Sequence, residues 1–174
     1  MAVSIEDIKK LRNMTGAGMM DCKTALAETN GDIDAAIEII RKKGQAVAAK
    51  RQERSASEGC VLAAVKPGFG AIVALKCETD FVARNESFVQ LTKDILEVAM
   101  NNNAKTLEEV LNLTIGDRTV ADKITDEIGK TGEKVERGAD ECIEAPPVAA
   151  YAHLGNEVST VVGLSIEGVD AAIG

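Results

Sequence analysis

Four aromatic side chains, Phe69, Phe81, Phe88 and Tyr151, serve a chain of 174 residues that contains no tryptophan. A core can still form, because 45% of the residues are apolar, but it has to be filled with Ala, Val, Ile and Leu. The scarcity weighs against functions built on stacking. Binders of single-stranded nucleic acid use aromatic platforms, and nucleobase or sugar pockets often do so too. Charged residues make up 28%, close to the average for a globular domain. Disorder needs low hydrophobicity with high net charge, so a folded chain of one or two domains is expected.

The net charge of −8 is unevenly placed. Residues 1–54 carry a net +2 and residues 55–174 a net −10. The acidic part repels phosphate backbones, so no direct nucleic-acid partner is expected. Arg41, Lys42, Lys43, Lys50, Arg51 and Arg54 form a basic cluster with Glu53 among them. It reads either as a solvated helix face or as a contact for phosphate or an acidic protein.

Little in the chain supports covalent chemistry. The cysteines are Cys22, Cys60, Cys77 and Cys142, with no CxxC spacing, and His153 is the single histidine. Zinc and thioredoxin-like redox sites are therefore disfavoured, and no metal or cofactor is expected. Lys42-Lys43-Gly44 is not a phosphate loop, because no GxxxxGK[ST] precedes it. No GxSxG occurs, and the Glu108-Glu109 pair is explained by the start of a helix. A basic-then-apolar leader is not evident, and no apolar run approaches the roughly 18 residues of a membrane span. The expectation is a reduced, cytoplasmic protein with free thiols and no catalytic residues.

Hydrophobic periodicity divides the chain. Ser4 with Asp7 resembles a capping box and opens a helix with an Ile5, Ile8, Leu11 stripe. Thr15-Gly16-Ala17-Gly18 breaks it, and Cys22, Ala25 and Leu26 form a second stripe. Asn30-Gly31-Asp32 supplies a stop and a new N-cap, followed by Ile33, Ala36, Ile37 and Ile40 at helical spacing. Gly44 is expected to end this third helix. Residues 1–44 thus read as a three-helix domain, and residues 45–56 as a helical linker.

Residues 57–174 read as a second domain. Cys60–Val65 and Ala71–Leu75 are strand-length apolar runs around Lys66-Pro67-Gly68-Phe69-Gly70, which predicts a hairpin with a five-residue loop. Both faces are apolar, so the sheet is expected to be covered on both sides. Asn85 caps a long helix carrying Phe88, Leu91, Ile95, Leu96 and Ala99. Thr106 with Glu109 opens a short helix, and Thr119 with Asp122 opens another that carries Val120, Ile124 and Ile128 and ends at Gly129 and Gly132. After Pro146-Pro147, Val148–Leu154 and Val158–Ile166 read as strands joined around Gly155-Asn156. Val169, Ala172 and Ile173 look like the first turn of a further helix cut at Gly174. The fold class is α+β, helices layered on a largely antiparallel sheet.

One segment resists simple reading. In Cys77-Glu78-Thr79-Asp80-Phe81-Val82-Ala83-Arg84-Asn85, Phe81 lies seven residues before Phe88. It either extends the buried stripe of the following helix or stands exposed beside Asp80 as an interface anchor.

Three motifs carry a resemblance. Met14-Thr15-Gly16-Ala17-Gly18-Met19-Met20-Asp21-Cys22-Lys23, with Ala25-Leu26 and Asn30-Gly31-Asp32, resembles the N-terminal signature of the bacterial elongation factor Ts family. Thr79-Asp80-Phe81-Val82-Ala83-Arg84-Asn85 resembles its second signature, and Tyr151-Ala152-His153 its Tyr-x-His element. Order and spacing agree from residue 1 to about 165. The resemblance implies a ubiquitin-associated-like three-helix domain ahead of an α+β core named for dimerisation, with self-association left open. It implies a guanine nucleotide exchange factor for elongation factor Tu, without covalent chemistry. Thr79, Asp80, Phe81 and Val82 would reach the helices beside the nucleotide site and disturb its magnesium and phosphate contacts. Arg12, Met19, Met20 and His153 would contact the GTPase domain. Most members carry a second core subdomain and a C-terminal module, so a non-exchanging Tu-binding or helical interaction module is the alternative. Two positions depart from the pattern: Gly138 follows Arg137 where a second Arg is usual, and Glu157 stands where Gly, Lys or Arg is common.

Overall fold

The computed structural model describes residues 3–165. The turn expected around Val169, Ala172 and Ile173 and the end of the last strand at Ile166 lie outside the described residues. The chain divides into two compact units, one of residues 1–54 with 124–134, the other of residues 55–123 with 135–174. The fold is α+β, as the patterning predicts.

The first unit begins with α1 (Ile5–Thr15), α2 (Met19–Glu28) and α3 (Ile33–Arg51). Ser4 caps α1 by accepting a hydrogen bond from the Asp7 amide at 3.0 Å. The short Asp7 side chain accepts from the Ser4 hydroxyl at 2.6 Å rather than from a backbone amide. Asp32 caps α3 through the Ala35 amide. Ile8, Leu11, Cys22, Ala25, Leu26 and Ala36 are buried together, with Ile33, Ile37 and Ile40 packed around them. Ile5 departs from its expected stripe and is exposed.

Gly44 does not end α3. The helix runs on to Arg51, and Gly44 is buried. A Cβ at Gly44 would sit 3.4 Å from the Thr125 carbonyl oxygen, and one at Gly129 would sit 2.8 Å from Gly44 Cα. Both glycines therefore lie inside helices, α3 and α7 (Val120–Thr131), where the two backbones nearly touch. Gly132 ends α7, its amide donating to the Ile128 carbonyl at 2.8 Å. On the basic face of α3, Arg41 pairs with Glu38 at 2.6 Å and Lys43 pairs with Asp21.

The second unit is built on a three-stranded antiparallel sheet in the order β1 (Glu58–Lys66), β2 (Phe69–Cys77), β5 (Glu136–Glu144). The β1–β2 turn holds two residues, not five, and Phe69 pairs with Lys66 in the ladder. Pro67 fixes its own φ and Gly68 adopts φ +80°, the signature of a tight Pro-Gly turn. Phe69 is accordingly buried in β2 instead of standing in a loop.

β5 is a strand that the periodicity does not announce, since Glu136, Glu141 and Glu144 interrupt any apolar alternation. It makes β2 the central strand, buried along most of its length. As an edge strand, β5 uses its acidic side chains to discourage pairing with another chain.

α5 (Glu86–Asn102) packs on β1 and β2 through Phe88, Leu91, Ile95, Leu96 and Ala99, with Asn85 as its N-cap. α6 (Leu107–Asn112) opens with the expected Thr106–Glu109 capping box. A two-residue ladder, β3 (Thr114–Ile115) with β4 (Arg118–Thr119), precedes α7. The hairpin of β6 (Val148–Ala152) and β7 (Ser159–Gly163) packs on β1 and β2, and Val148 and Val161 close over Gly70. Both strands are shorter than expected, so Leu154 and Val158 fall in the connecting loop.

Candidate functional site: a one-turn helix beside a hairpin loop

The segment that carries Phe81 folds as a helix of one turn, α4 (Asp80–Ala83), fenced by two caps. The Thr79 hydroxyl accepts from the Val82 amide at 3.4 Å, and the Thr79 carbonyl accepts from the Ala83 amide at 3.1 Å. Arg84 closes the turn with its amide on the Asp80 carbonyl at 3.0 Å. Asn85 then opens α5 by accepting from the Ser87 amide at 3.0 Å. Upstream, the Cys77 thiol donates to the Thr79 carbonyl at 3.2 Å, which ties the cap to the end of β2.

This punctuation decides between the two readings of Phe81. A seven-residue spacing places two side chains on one stripe only if one helix spans both. Here the caps at Thr79 and Asn85 break the phase, and no residue of α4 is buried. Phe81 is 84% exposed while Phe88 is fully buried. A phenyl ring left in water has given up the ~1.5–3 kcal/mol that burial in the core would contribute.

The loop between β6 and β7 carries His153. Its amide donates to the Val158 carbonyl at 2.9 Å, and its carbonyl accepts from the Asn156 amide at 3.1 Å. The loop is anchored to β1, because the Val61 amide donates to the Asn156 carbonyl at 2.7 Å and the Ser159 hydroxyl donates to the Val61 carbonyl at 2.8 Å. Tyr151, His153, Leu154 and Val158 are all exposed, Leu154 at 92%. The Tyr151 hydroxyl and His153 Nδ1 are 2.9 Å apart.

Arg84 links the two features. One guanidinium nitrogen lies 3.9 Å from the Asp80 carboxylate and another lies 3.8 Å from that of Glu157. The structure therefore brings Thr79, Asp80, Phe81 and Val82 together and sets the loop of His153 beside them. No signal in the sequence marks Leu154, because a strand running to that residue disguises it as a core position. Glu157 stood out by departing from the family pattern, but its ion pair with Arg84 was not foreseen. In the first unit, Arg12, Met19 and Met20 are exposed, with Met20 at 70%.

Of the cysteines, Cys77 touches this site through the Thr79 carbonyl, and Cys22 and Cys60 are buried. Burial raises the Cys22 and Cys60 thiols above their ordinary value, which keeps them protonated and weakly nucleophilic. All four cysteines are free. Among the described residues, no group of three or more His, Cys, Asp or Glu is placed to hold a metal ion, and no helix is long and apolar enough to cross a membrane.

Comparison with known proteins agrees with the motifs. A model of the family described as Elongation factor TS matches residues 78–173. The protein named Elongation factor Ts from Porphyromonas gingivalis is 60% identical over 166 residues, covering 95% of this chain and 61% of that protein. Its namesake from Bacteroides fragilis is 60% identical, covering 95% of this chain and 50% of that protein. The one from Phocaeicola vulgatus is 57% identical over 175 residues, covering 100% of this chain and 53% of that protein. The chain thus spans between about half and three-fifths of the length of these relatives. With more than half of its residues matched by the family model and the signature motifs in order, the chain belongs to the elongation factor Ts family.

Proposed function

We propose that the protein is a cytoplasmic guanine nucleotide exchange factor for elongation factor Tu in translation elongation, and that Phe81 is its principal wedge. The observation that carries this reading is the exposure of Phe81 on a one-turn helix in a chain with so few aromatic residues. Asp80, Thr79 and Val82 present and flank the ring, which enters between helices beside the nucleotide site of the GTPase. The intrusion disturbs the magnesium and phosphate contacts that order the GTPase switches. His153 adds a polar contact from the neighbouring loop. The three N-terminal helices act as a ubiquitin-associated-like domain that meets the GTPase domain through Arg12, Met19 and Met20, and the α+β core is the dimerisation domain.

Exchange of this kind needs no acid, base, nucleophile or metal on the factor. The factor has only to bind the nucleotide-free GTPase better than the GDP-bound form, and by linkage it then weakens GDP by the same ratio. A thousandfold weakening corresponds to about 4 kcal/mol of differential contact. Truncating an interface anchor such as an exposed Phe typically costs ~2–4 kcal/mol. One anchor with supporting contacts is thus of the right size. The test is release of labelled GDP from elongation factor Tu by the wild type and by Phe81→Ala.

A second reading rests on the length of the chain relative to its relatives. It holds that these residues bind elongation factor Tu without accelerating release. Co-purification of Tu with no change in the GDP release rate would favour that reading.

A further inference from the structure

The hydrogen bond between Tyr151 and His153 has a consequence for what His153 can offer a partner. Residues two apart on a strand project to the same face, and the His153 amide keeps the ladder going to Val158 one step past β6. The two rings therefore leave the hairpin on one side, with centroids 6.1 Å apart and planes tilted by 53°. Both side chains are exposed. Nε2, the other ring nitrogen, makes no hydrogen bond among the described residues.

A neutral imidazole has one nitrogen that donates and one that accepts, whereas a phenol carries one proton and conjugates its lone pairs into the ring. The phenol is the better donor of the pair and the bare imidazole nitrogen the better acceptor. The Tyr151 O–H then donates to Nδ1, and the imidazole proton resides on Nε2. When the imidazole is charged, Nδ1–H donates to the Tyr151 oxygen instead, and Nε2 still carries its proton. Nε2 is a donor in both charge states. An exposed hydrogen bond of this kind competes with water and contributes little to folding, so its effect falls on the protonation pattern of the ring.

We infer that Tyr151 is a positioning residue that fixes His153 as a permanent Nε2–H donor for an acceptor oxygen (carbonyl, carboxylate or phosphate) on the bound partner. The inference rests on the proposed docking role of His153 and adds the sense of its hydrogen bond and the residue that sets it.

The full chain contains a single histidine, so nitrogen-15 NMR reads its tautomer without ambiguity. In the free wild-type protein with the ring neutral, the expected spectrum is that of the Nε2–H form. In Tyr151→Phe, which keeps the ring and loses the hydroxyl, the spectrum should shift toward a mixture of tautomers. A wild-type Nδ1–H spectrum, or a Tyr151→Phe spectrum identical to wild type, would overturn the assignment. In GDP release from elongation factor Tu, Tyr151→Phe should slow release in proportion to the loss of the Nε2–H form, roughly 2-fold for an equal mixture of tautomers. His153→Ala should slow it at least as much, and the double variant no more than His153→Ala alone. A Tyr151→Phe effect that persists in the His153→Ala background would show that the tyrosine acts by itself and would overturn the positioning role. An unchanged release rate in His153→Ala would overturn the docking role. The NMR result on the free chain separates that failure from a failure of the tautomer assignment.

Discussion

Phe81 and Phe88 are the same side chain seven positions apart, in opposite environments. That contrast has a measurable counterpart in stability. Phe88→Ala removes a fully buried ring from beneath the sheet and should cost ~3–5 kcal/mol. Phe81→Ala removes a ring that already stands in water and should change stability by less than ~0.5 kcal/mol. Urea unfolding of both variants checks this, and a large loss for Phe81→Ala would mean that the ring has a structural role. Spacing alone could not separate the two residues, because it assumes one continuous helix. The information lay in Thr79 and Asn85, whose side chains start separate helices and break the phase. Phe69 was misassigned for a related reason. A loop of five residues leaves it outside the ladder, while a two-residue Pro-Gly turn places it in β2.

At the scale of elements, capping chemistry was the most legible signal. Ser4, Asp32, Asn85 and Thr106 all cap the helices assigned to them. Glycine was the least legible, because a helix stop and a close helix crossing call for the same residue. Gly44 and Gly129 belong to the second kind, so Gly129→Ala should destabilise the protein by ~1–3 kcal/mol through overpacking. Set against the helix propensity gain of about 1 kcal/mol, this leaves a net loss of up to ~2 kcal/mol. Thermal unfolding decides the matter, and a stabilised Gly129→Ala would contradict the close crossing of α3 and α7. β5 escaped notice because its strand character comes from pairing with β2, not from its own acidic sequence. The start of α7 offers a test in acid. Burial pushes the Asp122 carboxyl up, but the hydrogen bond from Thr119 and the charge of Arg118 outweigh it and hold the group below its ordinary value of 3.8. A depressed carboxyl stabilises the fold above its unfolded value and loses that contribution as the pH falls through the folded one. Asp122→Asn should therefore be modestly less stable at pH 7, with the difference closing below about pH 4. A difference that stays constant into acid would contradict the pairing.

For the whole molecule, composition set the limits and motifs supplied the content. The acidic balance of residues 55–174 and the scarcity of aromatic residues disfavour nucleic-acid binding and stacking pockets, but neither points to a partner. The family was legible because its signatures run through the capped turns at Thr15–Gly18 and Thr79–Asn85, where local structure depends on particular residues. The juxtaposition of α4 with the His153 loop was not legible, since it depends on a hairpin folding back over β1. Phe81 is the proposed wedge, and its removal should leave the fold intact. The most direct test is the rate of labelled GDP release from elongation factor Tu with saturating wild type and Phe81→Ala. Phe81→Ala should lose at least roughly 10-fold of the acceleration, in line with the cost of removing an interface anchor. Release as fast with Phe81→Ala as with the wild type would contradict it.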